Sequence, residues 1–251
     1  MSMVSIYFSP TGGTEKVARI LSQAFSDEVE AIDLCDPQLP NDTLIDNDVA
    51  VIAVPSYGGR VPALATQRLK RIQAQQTRAI LVCVYGNRAY EDTLVELQDV
   101  SEACGFKVIA AVAAIAEHSI ARQFASGRPD ALDTEALEDF AEKIKVKLAS
   151  SDPSTPALPG NRPYKKAGGS GMVPKANRHC NDCGLCIAKC PAEAIDPNDP
   201  KKTDASKCIS CMHCIQICPQ QARSLNSAML LAVGTALKKV CSDRKENALF
   251  I

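Results

Sequence analysis

A doubly wound α/β domain followed by a small cysteine-held α+β unit is what this 251-residue sequence predicts. Three observations lead there. Short Val- and Ile-rich runs, apolar on both faces, alternate with stretches of helical periodicity through the first 150 residues, the pattern of a parallel sheet with helices on both sides. Cysteine is crowded, with eight of the twelve in residues 180–218. Charge is divided: residues 1–150 hold 14 Lys and Arg against 21 Asp and Glu, net −7, and residues 151–251 hold 14 against 8, net +6. The whole-chain value of −1 averages two unlike pieces.

The first strand is expected at 4–8, ending in Ser9-Pro10-Thr11-Gly12-Gly13-Thr14. A helix over 15–25 follows, placing Val17, Ile20, Leu21 and Ala24 at helical spacing. Further strands are expected at 29–34, 49–54, 79–85 and 107–113, with helices at 63–72, 92–104 and 133–148. The last helix follows the Gly127-Arg128-Pro129 break and turns Leu137, Phe140, Ile144 and Leu148 inward. Five parallel strands with their helices make a three-layer domain over residues 1–150. A domain of about that size buries roughly 68–70% of its unfolded surface and folds unaided.

Residues 151–178 read as a linker. Pro153, Pro156, Pro159, Pro163 and Pro174, with Gly160, Gly168, Gly169 and Gly171, leave little scope for a regular element. Its charges are mostly basic: Arg162, Lys165, Lys166, Lys175 and Arg178 against Asp152. It is either a solvated connector or a strap whose basic half lies on the acidic first domain near a cofactor. Beyond it, 179–223 form a small domain and 224–251 a C-terminal helix and tail. From Lys165 to Leu249 there is no Phe, Tyr or Trp. Units of about 40–70 residues without aromatic bulk usually need disulfides or metal to hold a core.

The cysteines supply it. Cys180-x2-Cys183-x2-Cys186-x3-Cys190-Pro191 is repeated as Cys208-x2-Cys211-x2-Cys214-x3-Cys218-Pro219, an internal duplication. Two-residue spacings aim three thiolates at one 4Fe–4S cluster. In bacterial two-cluster ferredoxins the fourth cysteine of such a run ligates the other cluster. That assigns Cys180, Cys183, Cys186 and Cys218 to one cluster and Cys208, Cys211, Cys214 and Cys190 to the second. A disulfide framework would call for a secreted chain. A zinc ribbon needs only C-x2-C pairs and leaves four cysteines unused. His179 and His213 read as surface residues, and Cys83, inside an apolar strand, as a small buried hydrophobe. Cys35, Cys104 and Cys241 are scattered.

Hydroxyls and exposed N–H groups before a helix form a site for a phosphate, and the loop of Ser9, Thr11, Gly12, Gly13 and Thr14 provides both. It contains no Lys, so it is not a Walker A loop. An unliganded strand-to-helix turn would look the same in isolation. Two more strand ends add to it: Pro55-Ser56-Tyr57-Gly58-Gly59-Arg60 and Gly86-Asn87-Arg88-Ala89-Tyr90. In a doubly wound sheet these ends converge on one rim, where ligands bind. The segment from Glu117 and His118 to Arg128 starts at the same rim.

On these loops the first 150 residues resemble a flavodoxin, and residues 180–218 resemble a clostridial-type ferredoxin. The whole chain is similar to fused flavodoxin–ferredoxin proteins of anaerobic bacteria. The resemblance implies FMN, with its phosphate on Ser9, Thr11, Gly12, Gly13 and Thr14. Its flavin ring would lie between Pro55, Ser56, Tyr57, Gly58, Gly59 and Arg60 and the second loop of Gly86, Asn87, Arg88 and Tyr90. No Trp is present to stack on a flavin, which leaves Tyr57 and Tyr90 as candidates, and Gly13 stands where Asn is more usual.

Near-neutral charge argues against broad nucleic-acid binding. The apolar stretches near 108–116 and 228–234 fall short of the roughly 18 residues of a membrane span, and no signal-peptide pattern follows Met1. A cytoplasmic protein without a membrane span is expected, serving redox partner proteins, with a homodimer left open. Three functions fit: an electron carrier, an FMN-dependent reductase of a small molecule fed by its own clusters, and an iron–sulfur sensor or assembly subunit with a vestigial flavin site. No catalytic triad or carboxylate pair is evident.

Overall fold

Apolar side chains on alternate faces of each strand set the layers of this molecule. The computed structural model describes residues 1–150, 152, 154–168 and 171–251; Pro153 and Gly169 of the connection lie outside the described residues. The first half runs β1 (Met3–Tyr7), α1 (Gly13–Gln23), β2 (Glu30–Asp33), β3 (Thr43–Ile45), β4 (Val49–Pro55), α2 (Ala63–Leu69), β5 (Ile72–Ala74), β6 (Arg78–Tyr85), α3 (Thr93–Ala103), β7 (Lys107–Ile115) and α4 (Ala131–Ala149). The second runs β8 (Lys175–Ala176), α5 (Leu185–Ala188), α6 (His213–Gln216), β9 (Arg223–Ser224), α7 (Ser227–Cys241) and β10 (Ala248–Phe250).

β2, β1, β4, β6 and β7 lie side by side and parallel. Numbered among themselves this is the order 2-1-3-4-5, the flavodoxin-like form of the doubly wound sheet, which reverses beside the first strand. On β4, Ala50, Ile52 and Val54 enter one apolar layer, and Val49, Val51 and Ala53 the other. Leu69 of α2 and Leu94 and Leu97 of α3 close the first layer. Val17 and Leu21 of α1, with Leu137 and Ile144 of α4, close the second. Truncating a fully buried member such as Leu81 to Ala would cost about 2–5 kcal/mol.

Two departures from the expected five-stranded sheet have tertiary causes. β10 makes a sixth strand, antiparallel to β7 with Leu249 opposite Val112. The C-terminal tail thus covers an edge whose N–H and C=O groups would otherwise stand open. The helix expected over 63–72 stops at Leu69. Ile72 is buried in the first apolar layer and begins β5, which pairs with β3 in a separate parallel two-stranded sheet.

The duplicated cysteine runs fold alike. α5 and α6 are single turns that begin two residues after Cys183 and Cys211, each preceded by a left-handed residue, Gly184 (φ 75°) and Met212 (φ 64°). In each half the fourth cysteine's sulfur accepts an N–H from four residues on, Ala194 at 3.4 Å to Cys190 and Ala222 at 3.3 Å to Cys218. β8 and β9 close the unit as an antiparallel pair.

Opposite charges join the halves. Arg162 pairs with Asp99 and Lys165 with Glu91, both at 2.7 Å, and Arg244 pairs with Asp130 at 2.7 Å. Buried Asp92 accepts from Asn161 N at 2.8 Å, Asn161 Nδ2 at 3.0 Å and Lys165 N at 2.7 Å. The basic half of the connection therefore lies on the acidic domain. From the first half Arg68 reaches across: buried in α2, it donates to the carbonyls of Leu34 at 2.8 Å and, in the cysteine domain, of Pro191 at 2.6 Å.

Candidate cofactor site

The C-terminal ends of β1, β4, β6 and β7 bound a cavity of about 530 Å³, within the range of roughly 300–1,000 Å³ usual for small-molecule sites. Its first wall is the turn from β1 to α1, with Pro10, Thr11, Gly13 and Thr14. Gly12 is left-handed (φ 82°), which turns the chain into the helix at no steric cost. The N–H groups of Gly13 and Thr14 are first-turn donors without acceptors in the helix. Ser9 caps that helix instead of lining the cavity: its Oγ accepts from Glu15 N at 2.8 Å, and its own N–H donates to the Cys35 sulfur at 3.2 Å.

The second wall is Pro55, Ser56, Tyr57 and Gly58, and the third Tyr85, Gly86 and Arg88. His118 and Ser119 from the loop after β7 add a fourth. His118 Nδ1 accepts from the N–H groups of Ile120 at 3.2 Å and Ala121 at 3.1 Å. Burial holds this imidazole below its ordinary pKa.

Four of the expected flavin-loop residues stand elsewhere, each with a partner that explains it. Arg60 forms a bidentate pair with Glu96 at 2.7 and 2.8 Å and lies over the Tyr164 ring at 4.8 Å. Gly59 accepts from Asp92 N at 3.0 Å. Asn87 donates to the carbonyls of Cys241 and Asp243, both at 2.8 Å. Tyr90 packs on Tyr85 with ring centroids 5.1 Å apart, and Tyr85 is the tyrosine of this loop that reaches the cavity. Arg60, which also donates to the Lys165 carbonyl, thus holds the connection, and Asn87 the tail.

The cavity also has a cover that no motif in the sequence marks. Ile209 and Ser210 of the second cysteine run line the cavity, as do Met172 of the connection and Val233, Ala236 and Leu237 of α7. The spacing 233, 236, 237 is one helical face, a signal present in the sequence but without a visible target. A second hollow of about 520 Å³ shares Thr11 and Gly13 and is lined by Lys16, Arg122 and Arg128. Lys16 lies one turn past Gly12 on α1, and its Nζ donates to the Pro129 carbonyl at 2.7 Å. Arg128 is buried against Asp133 and also donates to the Lys245 carbonyl at 2.8 Å.

Cys190, Cys208, Cys211 and Cys214 line one hollow in the cysteine domain. Among the described residues no three Cys, His, Asp or Glu side chains close on a point as ligands of a single ion would; the four cysteines instead line a shared space. His213, expected at the surface, is half-buried and donates from Nδ1 to the Pro10 carbonyl.

Residues 179–223 match the family model of a 4Fe-4S dicluster domain. A comparison with curated proteins finds no match. Among solved structures the chain is similar to rubredoxin oxygen:oxidoreductase from the anaerobe Desulfovibrio gigas, at 18% identity and a TM-score of 0.43 over 59% of this chain and 37% of that one. A flavodoxin from Streptococcus pneumoniae TIGR4 is similar at 18% identity and a TM-score of 0.42, over 59% of this chain and 99% of that one. A short-chain flavodoxin associated with a PDU bacterial microcompartment is similar at 20% and 0.43, over 60% and 100%. From its own strand order and from its dicluster match, the chain joins a flavodoxin-like α/β domain to a 4Fe–4S domain.

Proposed function

We propose that this is an electron-transfer protein carrying FMN in the rim cavity and two 4Fe–4S clusters in the cysteine domain. Electrons would pass between a redox partner protein, the clusters and the flavin within one chain. The observation that carries the reading is Ile209, which lines both the rim cavity and the hollow of Cys190, Cys208, Cys211 and Cys214. That cysteine set supports the crossed assignment, leaving Cys180, Cys183, Cys186 and Cys218 for the other cluster.

FMN exchanges one or two electrons and each cluster one, so together they convert two-electron reductions into single steps. Thr11, Gly13 and Thr14 would hold the phosphate with first-turn N–H groups and hydroxyls, in the positive end of the α1 dipole. Gly58 and Gly86 would let the backbone approach a flat ring, and Tyr57 and Tyr85 of the same lining would offer it aromatic faces. Ile209, Ala236 and Leu237, which line the cavity, would exclude water from the bound group. In this division residues 1–150 bind FMN, 179–223 hold the clusters, and 151–178 with 224–251 clasp the two together. The cytoplasm, where thiols stay reduced, suits such a protein.

Anoxic purification with iron, sulfide and flavin quantified tests the reading. About eight irons, eight sulfides and one FMN per chain are expected from two cubanes and one flavin. Zinc in place of iron, or iron with no flavin retained, would contradict it.

A further inference from the structure

The cysteine domain buries a cation that no carboxylate balances. Arg223 opens β9 just after the second cysteine run and is 3% exposed. Its Nη1 donates to the Cys186 sulfur at 3.4 Å and the Pro200 carbonyl at 2.5 Å. Its Nη2 donates to the Thr203 hydroxyl at 2.7 Å and the Pro174 carbonyl at 3.3 Å. Among the described residues no Asp or Glu forms an ion pair with it. Its Nε–H is buried and has no acceptor.

A buried guanidinium without a countercharge, and a buried N–H without a partner, are each strongly unfavourable. Both are relieved by the same thing, sulfur carrying negative charge. The position suits it: Nη1 reaches Cys186 of the first run, and Thr203 and Pro174, which accept from Nη2, line the hollow of Cys190, Cys208, Cys211 and Cys214. One side chain stands between the two sets of thiols.

We propose that Arg223 is a positioning residue for both redox centres, its guanidinium set between the two clusters with Nε donating to a cluster sulfur, so that it raises both reduction potentials. The inference rests on the cluster loading proposed above. One electron from an external reductant takes a cluster with its four thiolates from a charge of about −2 to about −3, with no bond made or broken in the protein. A fixed cation beside it favours the more negative form, and hydrogen bonds to the sulfurs act in the same direction.

Anoxic titration with dithionite, followed by electron paramagnetic resonance, tests this on the intact protein and on Arg223→Gln and Arg223→Lys, with iron and sulfide counted in each. In Arg223→Gln the reduction equilibrium of both clusters should move tenfold or more toward the oxidised form, about 59 mV for a one-electron couple. Arg223→Lys keeps the charge and loses the fork, and should recover at least half of that shift. Full iron with unchanged potentials in Arg223→Gln would overturn the inference.

If Arg223→Gln fails to hold clusters, wild-type protein carrying ¹⁵N-arginine still decides the matter. A ¹⁵N hyperfine coupling on the reduced clusters is expected, and it should vanish in Arg223→Lys. Its absence from the wild type, or its persistence in Arg223→Lys, would overturn the assignment. Wild-type protein without iron would overturn the cluster reading itself, a separate outcome.

Discussion

His213 donates its Nδ1 hydrogen to the carbonyl oxygen of Pro10, tying the second cysteine run to the turn between β1 and α1. The contact fixes the cysteine domain beside the wall on which a flavin phosphate would sit. Replacing His213 with Ala removes a hydrogen bond with a net worth of about 0.5–1.5 kcal/mol. Iron, sulfide and FMN contents should stay as in the wild type, while electron equilibration between clusters and flavin after rapid photoreduction slows severalfold. An unchanged rate would show that the contact does not set the geometry.

Gly86 has no room for a side chain. A Cβ there would stand 2.7 Å from His118 Cδ2 and 2.8 Å from His118 Cβ. Gly86→Ala should push the imidazole into the cavity and weaken FMN binding by about tenfold, or 1.4 kcal/mol. The double variant Gly86→Ala with His118→Gly, which removes both the ring and the Cβ that the new methyl meets, should regain most of that loss, since the two sites are in contact and their effects are not additive. Flavin fluorescence titration reads both.

The amide of Asn87 holds the end of α7 through the carbonyls of Cys241 and Asp243, and α7 in turn covers the cavity. Asn87 is left-handed (φ 64°), so glycine keeps the backbone while deleting the clamp. Asn87→Gly leaves two carbonyls short of a donor, at about 1–3 kcal/mol. Thermal melts should fall by about 2–4 °C per kcal/mol for a chain of this size, with FMN affinity falling in parallel. A loss of stability with affinity intact would separate the tail from the site.

Acid should loosen the connection. The Asp92 carboxyl is held below the usual range chiefly by the Lys165 N–H, Asp99 by the Arg162 side chain, and Glu91 by the Arg88 side chain. Unfolding therefore takes up protons. The stabilisation is complete above about pH 5, begins to fall near the unfolded value of about 4, and is lost as pH drops through the lowered folded values. Asp92→Asn turns a donor toward the donors of Asn161 and Lys165. On iron-free protein it should lower the melting temperature at pH 7 and speed proteolysis within 154–168. The gap to wild type should narrow from pH 5 to pH 3; a gap constant across that range would rule out the carboxylate as its source.

Much of this was legible because it is local. β4 and β6 are continuous apolar runs, and the two cysteine runs carry their own spacing. What was not legible depends on partners distant in the chain. β10 is three residues long and is a strand only because β7 offers an edge. Arg60 and Asn87 look like ligand-loop residues until Glu96 and the Cys241 carbonyl are seen beside them. His213 reads as a surface side chain until Pro10 meets it, and Arg223 attracts no notice until its lack of a carboxylate shows. α7 presents Val233, Ala236 and Leu237 on one face, but only the folded chain reveals the cavity they cover.

The most direct test of transfer within one chain is the rate of electron equilibration between flavin and clusters, measured anoxically over a hundredfold range of protein concentration. A rate independent of concentration is predicted, because Ile209 lines both the hollow of Cys190, Cys208, Cys211 and Cys214 and the rim cavity proposed for FMN in the same chain. A rate rising in proportion to concentration would contradict the account.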